Sequence, residues 1–159
     1  MNQGVDVNVL APEKTAVVTG GSRGIGYATA LRLAQDGLRV IICSRSEESV
    51  KKSAEEIAVT SGNDSVLGIC ADVSSACEVD RMFAEVENFA SGSPSILVNN
   101  AGYLELEALI GMSESHWDRV ISQNLKSTFL CSRKAMAMMA AAGVSGNIVN
   151  VSSLAGIRG

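Results

Sequence analysis

Apolar positions along this chain fall into short unbroken runs, separated by stretches in which they recur every three or four residues. Thr15–Val18 is the first run. It ends in Thr19-Gly20, and Ile25, Ala28, Leu31 and Ala34 then recur near one helical face, which predicts strand, glycine turn and helix. Leu38–Cys43 is almost continuously apolar, as suits a parallel strand covered on both faces. Ser46 can cap a helix whose inner face is Val50, Ala54, Ile57 and Ala58, and Val66–Ala71 reads as a third strand. Ser75 with Glu78 gives a capping-box signal before Val79, Met82, Phe83, Val86 and Phe89, which share one helical face. Ser95–Val98 is the fourth strand. Ser113 opens a long helix through Trp117, Val120, Ile121 and Leu125 towards Met139, with Gly143 as its end, and Gly146–Val151 is the fifth strand.

Alternation of strands and helices without a hairpin signal predicts right-handed crossovers and an α/β fold, a doubly wound parallel sheet of the Rossmann type with five strands. One domain is expected over residues 14–159, preceded by a loose leader over residues 1–13 that is polar until Val9. The composition, 47% hydrophobic and 19% charged with only two prolines, is that of a soluble globular chain. Net charge is -4 and the lysines and arginines are scattered, so no nucleic-acid footprint is present. The longest apolar run, Ala135–Val144, falls well short of the roughly 18 residues a membrane span needs. With no signal-peptide pattern at the start, a cytoplasmic location is expected. Cys43, Cys70, Cys77 and Cys131 lack metal-ligand spacing and read as buried free thiols, with no metal site. His116, the only histidine, reads as a surface helix residue.

The sharpest chemical signal is Thr19-Gly20-Gly21-Ser22-Arg23-Gly24-Ile25-Gly26, between the first strand and the first helix. Glycines let a backbone turn tightly and approach a pyrophosphate, whose charge is met by free N–H groups at the helix N-terminus. Asn99-Asn100-Ala101-Gly102 follows the fourth strand, and Ala71-Asp72-Val73 ends the third. By itself Asp72 also reads as a helix cap. Cofactor choice has a physical argument: an acid after the second strand bonds a ribose 2′-OH, whereas an arginine accommodates a 2′-phosphate. Here that position reads Cys43-Ser44-Arg45, and Arg23 sits inside the glycine turn. NADP(H) is therefore favoured over NAD(H), with Ser44 a weaker phosphate candidate; the alternative is two exposed arginines without a ligand.

Taken together and in this order, the motifs resemble the classical short-chain dehydrogenase/reductase family from Thr15 to the C-terminus. By wording, Thr19–Gly26, Trp117–Asn124 and Ser127–Met136 resemble its 3-oxoacyl-[acyl-carrier-protein] reductases. The resemblance implies an oxidoreductase interconverting a ketone and a secondary alcohol, with a small-molecule or acyl-thioester substrate. It places the cofactor on the glycine turn, Asp72 and Val73 near adenine, and Asn99, Asn100, Ala101 and Gly102 along the cofactor site. It also implies four catalytic groups. Asn124 matches the family Asn that maintains a proton-relay water, or else is an ordinary helix-interior Asn. Ser153, rather than Ser152, matches the serine that polarises the carbonyl.

The family's Tyr-x-x-x-Lys would follow about a dozen residues later, and Tyr27 and Tyr103 are followed at the fourth position by Leu31 and Glu107. Little or no reductase activity is expected of this chain by itself. The family sheet continues beyond the fifth strand, so Ile148–Val151 should be an exposed apolar edge. The resemblance also implies that full-length relatives are homotetramers or homodimers; the helix Lys126–Ala142 resembles the one that packs between subunits in family tetramers, and its Met and Ala stripe reads equally well as core. The other reading is a natural short form: a non-catalytic NADP-binding or interaction module.

Overall fold

The computed structural model describes residues 14–154; the predicted leader, residues 1–13, and residues 155–159 lie outside it. Five parallel strands, β1 (Thr15–Thr19), β2 (Arg39–Ser44), β3 (Val66–Cys70), β4 (Ile96–Asn99) and β5 (Asn147–Asn150), pair in the order β3-β2-β1-β4-β5. The chain winds outward to β3 and then restarts on the other side of β1. That reversal puts the carboxyl ends of β1 and β4 side by side, which is where open α/β sheets form their ligand crevice.

Side chains of each strand alternate between two cores. Ala16, Val18, Val40 and Ile42 pack under α1 (Gly24–Gln35) and α2 (Glu47–Ser61). Val17, Ile41, Ile69 and Leu97 pack under α3 (Ala76–Ala90) and α5 (Ser127–Ala141). All five residues of β1 are buried, as expected for the middle of a sheet covered on both faces. β5 is the opposite case: Val149 is 50% and Val151 39% exposed. No helix among the described residues is long and apolar enough to cross a membrane.

Helix starts are set by serines. Ser46 Oγ accepts the Ser49 N–H at 3.3 Å, and Ser113 Oγ accepts that of His116 at 3.2 Å. Ser75 Oγ caps α3 at Glu78, but the Glu78 carboxylate reaches back to the Asp72 N–H at 2.9 Å. The capping box is thus stretched to brace the loop after β3.

Two predicted faces differ from those found. On α1 the buried positions are Gly26, Ala30 and Ala34, while Ile25 and Ala28 are exposed. The helix approaches the sheet so closely that a Cβ on Gly26 would collide with the Gly20 carbonyl oxygen and the Asn100 side chain. Small residues mark such a line of contact, and hydrophobic periodicity passes over them. The predicted long helix is α4 (Glu114–Ile121) and α5 joined by a π turn over Ser122–Lys126. Trp117 and Leu125 lie outward, and the buried line runs through His116, Ser127, Leu130, Cys131, Ala135 and Met139. This helix is apolar on both sides, so the pattern favoured the larger side chains while packing buried the smaller ones.

His116 is correspondingly 7% exposed rather than a surface residue. Its Nδ1 lies 2.6 Å from Glu107 Oε2, and Nε2 is buried without a hydrogen-bond partner. All four cysteines are free. Cys43 and Cys131 are buried, and burial pushes both thiols up to about 12, which keeps them protonated and unreactive. Cys70 is half-buried and Cys77 exposed, so the expectation of burial fails for these two; Cys77 sits in the first, outward turn of α3.

Candidate cofactor site

At the carboxyl ends of β1, β2, β3 and β4 a cleft of about 710 Å³ opens. Its floor is the glycine turn between β1 and α1. Gly20 adopts φ +64, and a Cβ there would stand 2.9 Å from Ala101 Cα. The turn is stapled to the end of β4 from both sides. Thr19 Oγ1 accepts the N–H groups of Asn100 and Ala101, each at 3.0 Å, and donates to the Val98 carbonyl at 3.4 Å. Asn100 Nδ2 returns two bonds, to the Thr19 and Gly20 carbonyls at 3.0 and 3.2 Å. Thr19 and Asn100 thereby neutralise each other's backbone, while the Gly21 N–H is taken by the Cys43 carbonyl at 3.1 Å.

The first turn of α1 differs from its neighbours. Serine caps α2, α3 and α4, but Arg23 at the N-cap of α1 makes no side-chain cap bond and the first turn holds no acid. Helix N-terminal amides without partners, together with the positive end of the helix dipole, form an anion-binding position. Arg23, Gly24 and Ile25 line the cleft beside it, and Ser22 is held there by the Ser53 hydroxyl, which donates to its carbonyl at 2.9 Å.

The second wall comes from the ends of β2 and β3. Ser44 and Arg45 line it, and the Ser44 hydroxyl donates to the Ser46 carbonyl at 3.2 Å. Among the described residues neither Arg23 nor Arg45 is part of an ion pair. Asp72 and Val73 line the far end. Partial burial raises the Asp72 carboxyl, but hydrogen bonds from the Ser74 N–H, the Ser74 hydroxyl and Gln123, with the charge of Arg45, outweigh it and hold the group below the ordinary carboxylate value.

The third wall is Asn100, Ala101 and Gly102. From there residues 103–112 run across the surface with Leu104, Leu106, Leu109 and Ile110 all strongly exposed. Polar clamps hold this segment to the helix. Asn124 Oδ1 accepts the Tyr103 N–H at 3.0 Å, and its Nδ2 donates to the Tyr103 carbonyl at 2.9 Å and the Val120 carbonyl at 2.8 Å. The Tyr103 hydroxyl donates to Glu105, Arg119 lies 3.6 Å from Glu105, and His116 meets Glu107.

Twelve sequence-predicted residues, Gly20, Ser22, Arg23, Gly24, Ile25, Ser44, Arg45, Asp72, Val73, Asn100, Ala101 and Gly102, line the cleft. Thr19 and Gly26 shape it from behind through the bonds and close contacts above. Asn99 points elsewhere: its Nδ2 donates to Ser132 Oγ at 2.9 Å and Asn150 Oδ1 at 2.8 Å, fastening β4 to β5 and α5. Asn124 stands behind the third wall, in the π turn, and Ser153 is exposed in the loop after β5. The cleft also contains Cys43, Ser46, Ser49, Ala71 and Gln123, which sequence reasoning did not assign to it. Cys43, Ser46 and Ala71 adjoin predicted residues, as Gln123 adjoins Asn124, so proximity was the available signal; Ser49 had none, and the partners of Gln123 depend on the fold.

A family model described as short chain dehydrogenase matches residues 14–159. The chain belongs to the short-chain dehydrogenase family. This short-chain dehydrogenase is 44% identical over 147 residues to 3-oxoacyl-[acyl-carrier-protein] reductase FabG of Staphylococcus aureus, an alignment covering 92% of the chain and 58% of that relative. It is 36% identical over 146 residues to the (3R)-3-hydroxyacyl-CoA dehydrogenase of Mus musculus, covering 89% of the chain and 56% of the relative. Among solved structures, a short-chain type dehydrogenase/reductase from Mycobacterium marinum superposes with a TM-score of 0.86 at 30% identity, over 91% of this chain and 57% of that one. The chain thus spans a little over half the length of these relatives. Membership brings with it a nicotinamide cofactor, and the fit of one can be judged from the cleft itself. A glycine turn in which Gly20, Gly21 and Gly26 have no room for a Cβ and an uncapped helix start facing it meet the needs of a dinucleotide pyrophosphate.

Proposed function

We propose that the cleft binds NADP(H) and that the chain is the cofactor-binding part of an oxidoreductase interconverting a ketone and a secondary alcohol. One observation carries the reading: α1 starts uncapped, with no acid in its first turn, on a turn whose Gly20, Gly21 and Gly26 have no room for a side chain, while serine caps the other free helix starts. When bound, the nicotinamide would donate or accept the hydride. In this reading Thr19, Gly20, Ser22, Gly24, Ile25 and Gly26 form the pyrophosphate cradle. Arg23 and Arg45 on the rim, in no ion pair among the described residues, and Ser44 take the 2′-phosphate; β2 ends in no acid that would oppose it. Asp72 and Val73 receive the adenine, and Asn100, Ala101 and Gly102 the nicotinamide side. Asn99 acts indirectly by holding β4 and β5 together. Asn124 keeps the third wall in place, and Ser153 polarises a substrate carbonyl.

The substrate class is taken from the names of the relatives, a 3-oxoacyl-[acyl-carrier-protein] reductase and a (3R)-3-hydroxyacyl-CoA dehydrogenase. Both point to an acyl thioester oxygenated at carbon 3. A second reading is a non-catalytic NADP-binding or interaction module; neither tyrosine of the given residues, Tyr27 or Tyr103, has a lysine four residues on. Proton transfer to the substrate oxygen needs a group of tuned pKa in hydrogen-bond reach, and a serine hydroxyl alone does not provide it near neutral pH.

Titrating the 159-residue chain with NADPH and NADH tests the cofactor assignment. NADPH should bind at least about tenfold tighter, and Arg45→Glu should remove most of that preference, since a hydrogen bond to a charged group is worth roughly 1.5–3 kcal/mol. Equal affinities in the unmodified chain would overturn the NADP(H) reading. Incubation with NADPH and a 3-oxoacyl thioester should give little or no oxidation of the cofactor; turnover at enzyme-like rates would remove the second reading.

A further inference from the structure

Gln123 stands in the π turn where it meets the cleft, and it joins segments far apart in sequence. Its Nε2 donates to Ser74 Oγ at 3.0 Å and to Asp72 Oδ1 at 3.5 Å. Asp72 Oδ1 also accepts the Ser74 N–H at 2.9 Å and the Ser74 hydroxyl at 2.8 Å. Among the described residues every bond to this carboxylate ends on Oδ1, and Oδ2 accepts none. An ionised carboxylate has about four acceptor sites on its two oxygens. One oxygen of Asp72 is therefore saturated by protein, and the acceptor capacity of the other remains on a residue that lines the cleft.

Gln123 and its neighbour Asn124 both lie in the π turn. Adjacent residues of an α-helix diverge by about 100° around the axis, so they seldom serve one site. Here Gln123 fastens the loop after β3, and its neighbour Asn124 fastens the segment after β4 through the Tyr103 N–H and carbonyl. Two consecutive side chains thus hold opposite walls of the same cleft.

We propose that Gln123 is a positioning residue for adenine recognition, fixing the Asp72 carboxylate so that Oδ2 accepts the exocyclic amino group of the purine. The proposal rests on the cofactor reading above. Its purpose is selectivity: a carboxylate pinned on one oxygen presents a single acceptor and repels a purine bearing an oxo group at that position. A carboxylate free to rotate would accommodate water beside either base.

The test compares NADPH with its reduced hypoxanthine analogue, in which the 6-amino group is replaced by oxygen, both followed by nicotinamide fluorescence on the full 159-residue chain. The unmodified chain should prefer NADPH by about tenfold, the scale of a hydrogen bond to a charged acceptor. In Gln123→Ala and in Gln123→Glu the preference should shrink to within about threefold. The glutamate variant keeps the size of the side chain and replaces attraction to Asp72 by repulsion, so it carries the test if the alanine variant fails to fold. A purely structural role would weaken both ligands alike and keep the ratio, which would overturn the proposal while leaving the cofactor reading intact. An unmodified chain that binds both equally would overturn the reading of Asp72 and the proposal with it, whereas one that binds neither ligand would overturn the cofactor reading itself.

Discussion

The middle of the sheet and its β5 side are held together by different physics. Around β1 and β2 every strand residue from Thr15 to Thr19 is buried, and Ile41, Leu97, Phe83 and Met82 fill a core with no measurable exposure. Beyond β4 many apolar side chains face outward, from Leu104, Leu106 and Ile110 to Phe129 and Val149, while the inner line of α5, Leu130, Cys131, Ala135 and Met139, joins the core. What fixes the outward-facing part of that side is a set of polar clamps, Asn124 on Tyr103, His116 on Glu107 and Asn99 on Asn150. The first region is stabilised by area removed from water; the second is positioned by directional bonds that contribute only about 1 kcal/mol each. The glycine turn lies on the boundary between them and borrows its rigidity from the buried side.

The sharpest way to break this comparison is to truncate one phenylalanine on each side. Phe83→Ala in the enclosed core should lower unfolding stability in urea by about 4 kcal/mol. Phe129→Ala, 56% exposed with Arg133 5.3 Å from its ring centre, should cost below about 1 kcal/mol. Similar losses at the two sites would mean that the outward face of α5 is packed in solution, as a subunit contact would require.

Next in size is the boundary itself. Gly26→Ala places a methyl group against the Gly20 carbonyl and the Asn100 side chain, so α1 must lift from the turn. We expect a loss of about 2 kcal/mol, in the range for overpacking, and a weaker dinucleotide titration. Gly24→Ala meets no neighbour but needs φ +57, so its cost should be confined to about 1 kcal/mol of backbone strain. Equal effects of the two in the same denaturation series would contradict the close approach of α1.

Much of this contrast was legible in the sequence. Runs such as Leu38–Cys43 and the Val79, Met82, Phe83, Val86 face announce their burial, and the glycine turn announces its place between strand and helix. Three features stayed hidden for physical reasons. Gly26, Ala30 and Ala34 carry too little side chain to register in a hydrophobic pattern, although the closest packing selects them. His116 looks like a surface residue until Glu107 is brought within 2.6 Å by the path of the preceding segment. Gln123 acquires a role only through Asp72 and Ser74, about fifty positions earlier in the chain. Polar positions take their meaning from tertiary partners, which a local pattern does not contain.

The smallest expected effect concerns acid. Because the Asp72 carboxyl is held below its ordinary value in the fold, its ionised form stabilises the native state above the unfolded value of about 4 and that stabilisation disappears as pH falls through the folded value. Asp72→Asn should therefore be less stable than the unmodified chain near neutral pH, with the difference narrowing as thermal melts are taken from about pH 5 down towards pH 2. A gap that widens on acidification would reverse the assigned sign.

Amide hydrogen exchange with and without NADPH tests the central claim most directly, since it reads both regions at once. The account predicts slowed exchange at the amides of Gly24, Ile25 and Gly26, the uncapped start of α1, when NADPH is added. Ile148 and Asn150, whose alternation with the β4-bonded Asn147 and Val151 turns their N–H groups to the open edge, should exchange fast in both states. Unchanged exchange at Gly24–Gly26 under saturating NADPH, or protection appearing at the β5 edge instead, would contradict it.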